Sequence, residues 1–361
     1  MKFTPEEVWI ERGEENSVIG RTVRARLDGV PIRDFAAPQA PPPVDFATGK
    51  RSLVLKRHRG GFLQHCPAGT SGMVCCNYLV VNFASNCPYD CSYCFLQDYL
   101  ASNTRLTAFT NVDEALAEID RALAGHPEKQ FRIGTGELAD SLALDPITGL
   151  SRQLVPFFAE RDNAVLELKT KSDCIEELLR LDCRGRTVVS WSINPEVVGS
   201  DERGAAPIAA RLGAAARVRE HGYRVGFHLD PIVEHDGWER GYGRLLDDVF
   251  SAVEPDDVAW FSLGSLRMTA SLQRQVRDRR GPAAAQVVQG AEVVRGRDGK
   301  FRVWQGLRVR MYRFLIERIR QRAPRVPVYL CMEPPAVWQR AMREVPTDRE
   351  LGMRLAAGAR W

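Results

Sequence analysis

Three closely spaced cysteines form the part of this sequence with the clearest chemical potential. Cys87, Cys91 and Cys94 make a C-x3-C-x2-C array that directly follows a short apolar run, Tyr78–Phe83. Thiolates are the usual protein ligands of iron–sulfur clusters, and three of them on one short loop converge on one point. A 4Fe–4S cluster held by three thiolates keeps one iron without a protein ligand, and that iron is open to another molecule.

A structural zinc site and a disulfide are the alternatives for these cysteines. Structural zinc takes four ligands, usually in two C-x2-C-like pairs, and the fourth would have to come from Cys75 or Cys76, which chelate poorly because they are adjacent. A disulfide requires an oxidising compartment, which nothing in the sequence indicates. The spacing therefore favours the cluster, and zinc remains the second interpretation.

The loop resembles the motif of the radical S-adenosylmethionine (SAM) superfamily, including the aromatic Tyr93 before the last cysteine. The resemblance implies a 4Fe–4S cluster whose open iron is chelated by SAM, and one-electron cleavage of SAM to a 5′-deoxyadenosyl radical. It also implies a partner that delivers the electron, such as flavodoxin or ferredoxin.

Further polar residues lie where later apolar runs end, and they are the candidates for SAM binding. Glycines let a backbone approach a ligand closely, a carboxylate suits the SAM ammonium, and a lysine suits its carboxylate. A tight turn and solvated side chains are the ordinary alternatives. The predicted cofactor-binding set is Gly134, Gly136, Glu137, Lys171, Ser192 and Asn194. Lys169, His228 and Asp230 are weaker candidates at similar places.

The elements that must position these residues alternate between strand and helix. Six apolar runs predict strands at Tyr78–Phe83, Phe131–Thr135, Ala164–Lys169, Thr187–Ile193, Arg224–Leu229 and Val258–Leu263. Predicted helices lie between them, at Asn111–Ala124 with Asn111 as N-cap, after Ser172, at Ala206–Glu220 and at Gly241–Val253. Such alternation indicates a parallel sheet, and functional residues are expected at the carboxyl ends of its strands.

The predicted fold is therefore an α/β protein built on a partial (β/α)6 barrel. We divide the chain into an N-terminal extension (1–72), the barrel (73–265) and a C-terminal region (266–361) that completes the same domain. In the extension, Val8–Ile10 is expected as a strand, Pro38–Pro43 as a stiff connector and Arg51–Gly72 as loop with one short strand. The C-terminal region is expected to contain a polar stretch, Arg267–Arg302, then a helix at Gln305–Gln321, a strand at Val326–Met332 and a helix at Ala336–Arg343.

Composition sets broad limits on the function. The chain has 361 residues, 44% hydrophobic and 27% charged, with a net charge of +4 and nine cysteines. The N-terminus lacks an apolar signal segment and no apolar run is long enough to span a membrane, so we expect a cytoplasmic protein with no membrane partner. The mild positive charge permits a polyanion such as DNA without requiring one. The expected oligomeric state is a monomer.

The longer pattern resembles the spore photoproduct lyase family of radical SAM enzymes. The last cysteine continues as Cys94-Phe-Leu-Gln97, and the stretches Ser192–Glu196 and Gly237–Tyr242 occur in the family's order, over roughly Val8–Glu333. The resemblance implies a partial (β/α)6 barrel with a C-terminal hairpin, and radical reversal of a thymine lesion flipped out of DNA.

Two positions depart from that family. Its repair enzyme has a hydrogen-donating cysteine after the second strand and a tyrosine after the last cluster cysteine. This sequence has no cysteine between Cys94 and Cys174, and Phe95 replaces the tyrosine. Tyr93 and Tyr99 are therefore the catalytic candidates, and Cys174, Cys331 and Tyr99 are the alternative hydrogen donors.

Three functional hypotheses follow from the sequence. The first is a lesion lyase acting on DNA with a different hydrogen donor. The second is a radical SAM enzyme of the same family with a substrate other than DNA. The third is a non-catalytic nucleic-acid-binding protein with a structural or redox-sensing cluster.

Overall fold

Seven parallel strands in one curled sheet form the frame of the protein. The computed structural model describes residues 3–66, 72–284, 293–296 and 299–360. The strands are β1 Glu7–Glu11, β2 Ile32–Phe35, β3 Ser52–Lys56, β4 Leu63–His65, β5 Leu79–Val81, β6 Ala84–Ser85, β7 Asp90–Cys91, β8 Leu106–Phe109, β9 Phe131–Gly134, β10 Ala164–Thr170, β11 Thr187–Ser192, β12 Glu202–Arg203, β13 Arg224–Ile232, β14 Val258–Ser265, β15 Arg267–Met268, β16 Val293–Arg295, β17 Phe301–Val303 and β18 Val328–Leu330.

The helices pack mainly against the outside of this sheet. They are α1 Val18–Arg26, α2 Phe46–Gly49, α3 Leu96–Tyr99, α4 Val112–Ala124, α5 Asp145–Thr148, α6 Ser151–Ala159, α7 Glu196–Gly199, α8 Ile208–Glu220, α9 Trp238–Ala252, α10 Ala270–Ala284, α11 Gln305–Arg322, α12 Pro335–Met342 and α13 Asp348–Ala359. Within the described ranges, no helix combines the length and the apolar character needed to cross a membrane.

The barrel sheet has the strand order β18-β14-β13-β11-β10-β9-β5-β4. All neighbours from β5 to β18 pair in parallel, and β4 adds an antiparallel edge. All six predicted strands are present in the predicted order, and the predicted strand at Val326–Met332 joins them as β18. The prediction of a partial (β/α)6 barrel is confirmed. The sequence could reveal it because central strands of a parallel sheet are buried on both faces and therefore appear as long apolar runs.

A second sheet lies in the N-terminal part of the chain, with the order β2-β1-β3-β8-β6. It confirms the predicted strand at Val8–Ile10 within β1. Arg51–Gly72 was expected to contain one short strand, but it contains two, β3 and β4. Residues 67–71 of that stretch lie outside the described ranges. The division of the chain at residues 72 and 265 stays a prediction.

Two local predictions need correction. The segment after Ser172 forms no α-helix, because the Ser172 carbonyl oxygen accepts from Trp191 Nε1 at 3.0 Å and not from a following helical turn, and only Leu178–Arg180 makes a 3-10 turn. Asn111 occupies the N-cap position of α4, as predicted, but its side chain makes no capping hydrogen bond. It accepts from the His58 N–H and donates to Glu114, joining the helix to the N-terminal sheet.

The C-terminal region contains more structure than the sequence indicated. Arg267–Arg302 includes β15, α10 and the antiparallel pair β16–β17, which fits the expected hairpin, although residues 285–292 and 297–298 lie outside the described ranges. The predicted helices near 305 and 336 are present as α11 and α12. The last helix, α13, was missed although its capping box is visible in the sequence as Thr347 and Glu350.

Tight packing at one barrel glycine generates a stability prediction. A Cβ on Gly134 would lie 1.6 Å from the Tyr78 hydroxyl oxygen, so Gly134→Ala forces the buried Tyr78 ring to move. We expect Gly134→Ala to lower the free energy of unfolding by about 1–3 kcal/mol. Denaturant unfolding of the metal-free protein under anaerobic conditions measures this.

Gly213 in α8 provides the matched control, because nothing lies within 4 Å of a Cβ built there. Gly213→Ala should raise the free energy of unfolding by about 0.5–1 kcal/mol, as expected for a helix interior. Equal effects of the two substitutions would contradict the packing described for Gly134.

Candidate functional site

The cysteine loop begins at the carboxyl end of β5, the first parallel strand of the barrel, as predicted. Cys91 is buried, and Cys87 and Cys94 are half-buried. Cys91 belongs to β7, which pairs with β12 in an antiparallel bridge between Cys91 and Glu202. All nine cysteines lie in the described ranges, and none forms a disulfide.

Burial raises the pKa of each of these three thiols, that of Cys87 to about 12. The Lys50 ammonium, which donates to the carbonyl oxygens of Cys87 and Tyr89, opposes this effect at Cys87 and Cys94. Lys171 opposes it at Cys91 and Cys94. Because burial still dominates, these thiols become stable thiolates only when a metal centre adds further positive charge.

The arrangement of acidic, histidine and cysteine side chains bears on the type of metal centre. In the described part of the chain, no three such side chains are close enough to hold a single metal ion. A mononuclear zinc site needs four ligands around one ion. Three thiols on one loop are the donor set expected of a 4Fe–4S cluster, and the assignment of these cysteines as metal ligands stays a prediction.

Tyr93, between Cys91 and Cys94, is anchored in the barrel. Its hydroxyl donates to Glu202 Oε1, and burial raises its pKa well above the usual value, so that the phenol remains a neutral donor. The Tyr93 ring lies 5.7 Å from the Lys171 ammonium. Tyr93 thus attaches the segment between the second and third cysteines to the barrel.

Glu202 is the buried carboxylate that receives these contacts. Its side chain has no exposed area, and it pairs with Lys171 Nζ at 2.8 Å and Arg211 Nη2 at 2.5 Å. Burial alone would raise its pKa, but the charges of Lys171 and Arg211 outweigh this and lower it to about 2. Glu202 is therefore ionised and joins the cysteine loop to strands β10 and β11 and to helix α8.

Lys171 and Asn194, two predicted SAM contacts, already have partners in this network. Lys171 is paired with Glu202, and Asn194 Nδ2 lies 3.4 Å from the same carboxylate. Asn194 Oδ1 accepts from the Tyr242 hydroxyl at 3.1 Å. The carbonyl oxygen of Ser192 accepts from Arg211 Nη1 at 2.8 Å. The structure brings these three predicted residues together around Glu202, and their contact with SAM stays a prediction.

Gly134 is the last residue of β9, and Gly136 lies in the turn that follows. A Cβ on Gly136 would lie 2.7 Å from the Lys169 Cβ, and one on Gly134 would overlap Tyr78. Packing by itself therefore explains why glycine occupies both positions.

Glu137 and Lys169 stand unpaired beside this turn. Neither side chain makes a hydrogen bond or an ion pair within 4 Å to the described residues, whereas the nearby Lys171 and Asp230 side chains are paired. Burial raises the pKa of Glu137, and the charge of Lys169 opposes that rise. A half-buried carboxylate without a partner is suited to an ammonium group from a ligand.

A layer of charged residues lies deeper in the barrel. Glu167 Oε1 accepts from Ser190 Oγ at 2.6 Å and lies 2.7 Å from His228 Nε2. Burial would raise the pKa of Glu167, but His228 and Arg132 lower it to about 2, and burial lowers the pKa of His228. The Arg132 guanidinium lies 4.7 Å from the Tyr78 ring centroid, 4.9 Å from that of Trp260 and 5.4 Å from that of Tyr329. Arg132 precedes Gly134 by two residues on β9, so this layer lies below the glycines.

The open end of the barrel holds Asp230 and Arg267. Arg267 Nη2 lies 3.4 Å from both Asp230 oxygens, and Arg267 Nη1 donates to the Cys331 carbonyl at 3.0 Å. Burial alone would raise the pKa of Asp230, but Arg267 and Lys169 lower it. Burial raises the pKa of the Cys331 thiol to about 12, with Asp230 adding to the rise.

The remaining predicted residue, Tyr99, does not join these groups. It is 67% exposed on α3, with its ring centroid 6.3 Å from that of Phe95, which is 47% exposed. Two aromatic faces are therefore accessible directly after Cys94.

Sequence reasoning missed Glu202, Arg211, Glu167 and Arg132. All four are buried charges, and no local pattern identifies a buried charge, because the partner that stabilises it is distant in sequence. A weak signal exists only for Glu167 and Arg132, each of which interrupts an apolar run that was predicted as a strand.

Comparisons with known proteins agree with this arrangement. A family model described as spore photoproduct lyase matches residues 71–303. Spore photoproduct lyase of Bacillus subtilis (strain 168) is 31% identical over 179 residues, which are 49% of this chain and 52% of that protein. The protein of the same name from Geobacillus sp. (strain Y412MC61) is 29% identical over 202 residues, 55% of this chain and 59% of that protein. The matches thus span little more than half the length of these relatives.

Solved structures are similar over a greater length. Spore photoproduct lyase complexed with dinucleoside spore photoproduct has a TM-score of 0.81 at 22% identity, covering 91% of this chain and all (100%) of that one. A double mutant of spore photoproduct lyase with bound AdoMet and dinucleoside spore photoproduct has a TM-score of 0.79, at the same identity and coverage. At this identity the likeness establishes the fold.

The Glu202 network generates a pH-dependent stability prediction. Because the folded-state pKa of Glu202 is about 2 and its ordinary value is 4.5, its stabilising effect is complete above pH 4.5 and disappears as the pH falls toward 2. Near neutral pH, Glu202→Gln should lower the free energy of unfolding by about 3 kcal/mol, because two buried cations lose their counter-charge.

Denaturant unfolding measured from about pH 7 down to about pH 3 tests this prediction. The difference in unfolding free energy between wild type and Glu202→Gln should become smaller below pH 4.5. Glu196→Gln is the control, because Glu196 is exposed on α7. A gap that is small, or that stays constant with pH, would contradict the assignment.

Proposed function

The chain belongs to the spore photoproduct lyase family, and we propose that it is a radical SAM enzyme acting on a pyrimidine lesion in DNA. One observation carries this proposal: three unbridged cysteines on one loop at the carboxyl end of the first barrel strand. Cys87, Cys91 and Cys94 would hold a 4Fe–4S cluster. When bound, the cluster supplies the electron that cleaves SAM to methionine and a 5′-deoxyadenosyl radical.

The residues around the loop fit SAM as well. Glu137 offers an unpaired carboxylate to the ammonium group, and Gly134 and Gly136 keep the backbone there free of side chains. Lys171, Ser192 and Asn194 would bind the carboxylate and ribose side. Lys171 then shares its charge between Glu202 and the ligand, which a lysine with three N–H donors permits. Tyr93, fixed by Glu202, would border the bound SAM.

The open end of the barrel is suited to a nucleic-acid substrate. Phe95 and Tyr99 present aromatic faces on which a base can stack. Trp304 is 52% exposed after β17, and the neighbouring hairpin carries the exposed Arg295. Arg295 lies opposite Phe301 in this hairpin, so the cation and the aromatic ring are carried by neighbouring strands. Exposed aromatic rings and cations are the groups that bind single strands or flipped bases.

The other two hypotheses receive less support. Similarity to proteins that bind dinucleoside spore photoproduct favours a DNA lesion over an unrelated substrate. The predicted SAM-binding residues around Glu137 favour an enzyme over a purely structural cluster. We further propose that the protein acts as a monomer in the cytoplasm, where thiols stay reduced, and receives its electron from a flavodoxin or ferredoxin.

The cluster proposal is tested on the three cysteines. Replacing Cys87, Cys91 or Cys94 by Ala should remove most of the iron and sulfide from anaerobically reconstituted protein, because two thiolates hold a cubane poorly. Cys183→Ala is the matched control, since Cys183 is buried elsewhere, with its thiol donating to the Gly222 carbonyl at 3.4 Å. Stoichiometric zinc without sulfide in the wild-type protein would refute the cluster.

The reaction itself is tested with reduced protein, SAM and DNA containing spore photoproduct. We expect 5′-deoxyadenosine, with little or no conversion of the photoproduct to thymines. The reason is that Phe95 has no O–H and that the turn after β9 contains no cysteine. Mass spectrometry of both products measures this. Clean, multi-turnover repair would contradict this expectation. The hydrogen donor would then be sought by substitution, first at Cys331, at the open end of the barrel, and then at Cys174 and Tyr99.

A gain-of-function variant extends the same test. Ser141 Oγ lies 3.1 Å from the position of a Cβ on Gly136, so Ser141→Cys brings a thiol to that turn without the overlap that a new side chain at Gly136 would cause. Combined with Phe95→Tyr, it should increase thymine formation, and Ser141→Ala with Phe95→Tyr is the control. No gain would indicate that the substrate pocket itself has diverged.

A further inference from the structure

Helix α10, outside the barrel, lies against the cysteine loop through two arginines that the proposed reaction does not use. Arg280 Nη2 lies 2.7 Å from Asp90 Oδ2 and donates to the Asp90 carbonyl as well. The Arg280 side chain is only 3% exposed. Asp90 directly precedes Cys91, so the helix holds the loop just before its second cysteine.

The same helix also holds the loop after its last cysteine. Asp98 Oδ2 accepts hydrogen bonds from Thr269 Oγ1 and Ser271 Oγ, both at 2.7 Å. Thr269 directly precedes α10 and Ser271 lies in its first turn, and Asp98 lies in α3, which follows Cys94. The loop is thus fastened to α10 on both sides of Cys91 and Cys94.

Gln97 lies between these two attachments and is 3% exposed. Its Nε2 donates to the carbonyl oxygens of Cys91 at 3.1 Å, Ser92 at 3.0 Å and Cys94 at 3.3 Å. The amide carries two N–H groups, so the three carbonyls share them. The Cys91 and Cys94 carbonyls also accept from the backbone N–H groups of Cys94 and Gln97, at 3.2 and 3.3 Å, so the side chain reinforces the turn. Two of these carbonyls belong to the cysteines themselves.

Arg279 fixes the orientation of that amide. Its Nη1 donates to Gln97 Oε1, and a guanidinium has no acceptor, so the oxygen of Gln97 must face Arg279 and the nitrogen must face the loop. The guanidinium stacks 4.4 Å from the Phe46 ring centroid, and its Nη2 lies 3.4 Å from Asp90 Oδ1. These contacts hold Arg279 in place without Gln97.

We propose that Gln97 and Arg279 are positioning residues for the cysteine loop: Gln97 sets the backbone of Cys91 and Cys94, and Arg279 locks the Gln97 amide. If the loop already has its binding geometry in the metal-free protein, less conformational entropy is lost when a cluster binds. The inference rests on the proposed function in one respect, since it takes these cysteines as cluster ligands. Under this proposal, the geometry of the cysteine loop depends on α10, a helix that lies outside the barrel.

The first experiment uses metal-free protein, so its result does not depend on cluster binding. Under anaerobic conditions, alkylation rates of Cys91 and Cys94 are followed by mass spectrometry in wild type, Gln97→Met and Arg279→Gln. Loss of the hydrogen bonds should increase both rates about tenfold or more. The buried Cys183 is the internal reference, because general unfolding would expose it in parallel.

Two further variants separate a specific role from general destabilisation. Arg279→Lys keeps a donor for Gln97 Oε1 and should restore slow alkylation. Arg277→Gln removes a positive charge from an exposed position on the same helix and should behave as wild type. Unchanged rates in Gln97→Met and Arg279→Gln, or a parallel increase at Cys183, would overturn the proposal.

The second experiment uses reconstituted protein and reads the midpoint potential and the electron paramagnetic resonance spectrum. Arg279→Gln should shift the potential downward with an altered spectrum, because a positive charge near the loop is lost, and Arg279→Lys should shift it less. A potential and spectrum identical to wild type would contradict the assignment. Failure of the wild-type protein to bind iron would refute the proposed function, whereas the alkylation experiment would still decide the role of Gln97 and Arg279.

Discussion

The structure of the site depends on the buried carboxylate of Glu202. It is the point at which the cysteine loop, the third and fourth parallel strands and helix α8 meet, through Tyr93, Lys171, Asn194 and Arg211. A buried carboxylate is stable only if its desolvation is compensated, and here two cations and two neutral donors compensate it. The network is therefore a strong constraint, because removal of any one member leaves a buried charge or donor without its partner.

A second constraint comes from the filling of the barrel. The Arg132 guanidinium among three aromatic rings and the Glu167–His228 pair occupy the interior below the glycines. Glu137, Lys169 and Asp230 lie at or just after the carboxyl ends of β9, β10 and β13. These are the strand ends at which parallel barrels place their chemistry.

The cysteine loop is held from two directions that are independent of each other. From the barrel side, Glu202 fixes Tyr93, and β12 pairs with β7. From the outer side, α10 fixes Asp90, Gln97 and Asp98. Loops that carry reactive groups are often the least stable part of a fold, so attachment on both sides is what allows the short segment to keep one geometry. The substitution of Phe95 for tyrosine changes the exposed surface of this loop without touching either attachment.

The sequence by itself determined the barrel and the cysteine loop, because both depend on local patterns. Long apolar runs such as Val258–Leu263 indicate buried parallel strands, and the spacing of Cys87, Cys91 and Cys94 places three thiols on one turn. The missing helix after Ser172 and the missing side-chain cap at Asn111 show the limit of such patterns. In both cases a polar group bonds to a residue distant in sequence: the Ser172 carbonyl accepts from Trp191, and the Asn111 side chain accepts from His58.

Only the tertiary structure decided which charges are buried and what pairs with them. Glu202 and Arg211 lie on a short bridge strand and a helix, and nothing in their neighbourhoods in the sequence distinguishes them from solvated surface residues. Their role arises because folding brings them to Lys171 and Tyr93, where the partners outweigh the cost of desolvation. The same holds for Arg279, whose contact with Gln97 joins residues far apart in the chain. Local patterns are written in neighbouring residues, whereas the energy of a buried charge depends on partners that only the folded chain assembles.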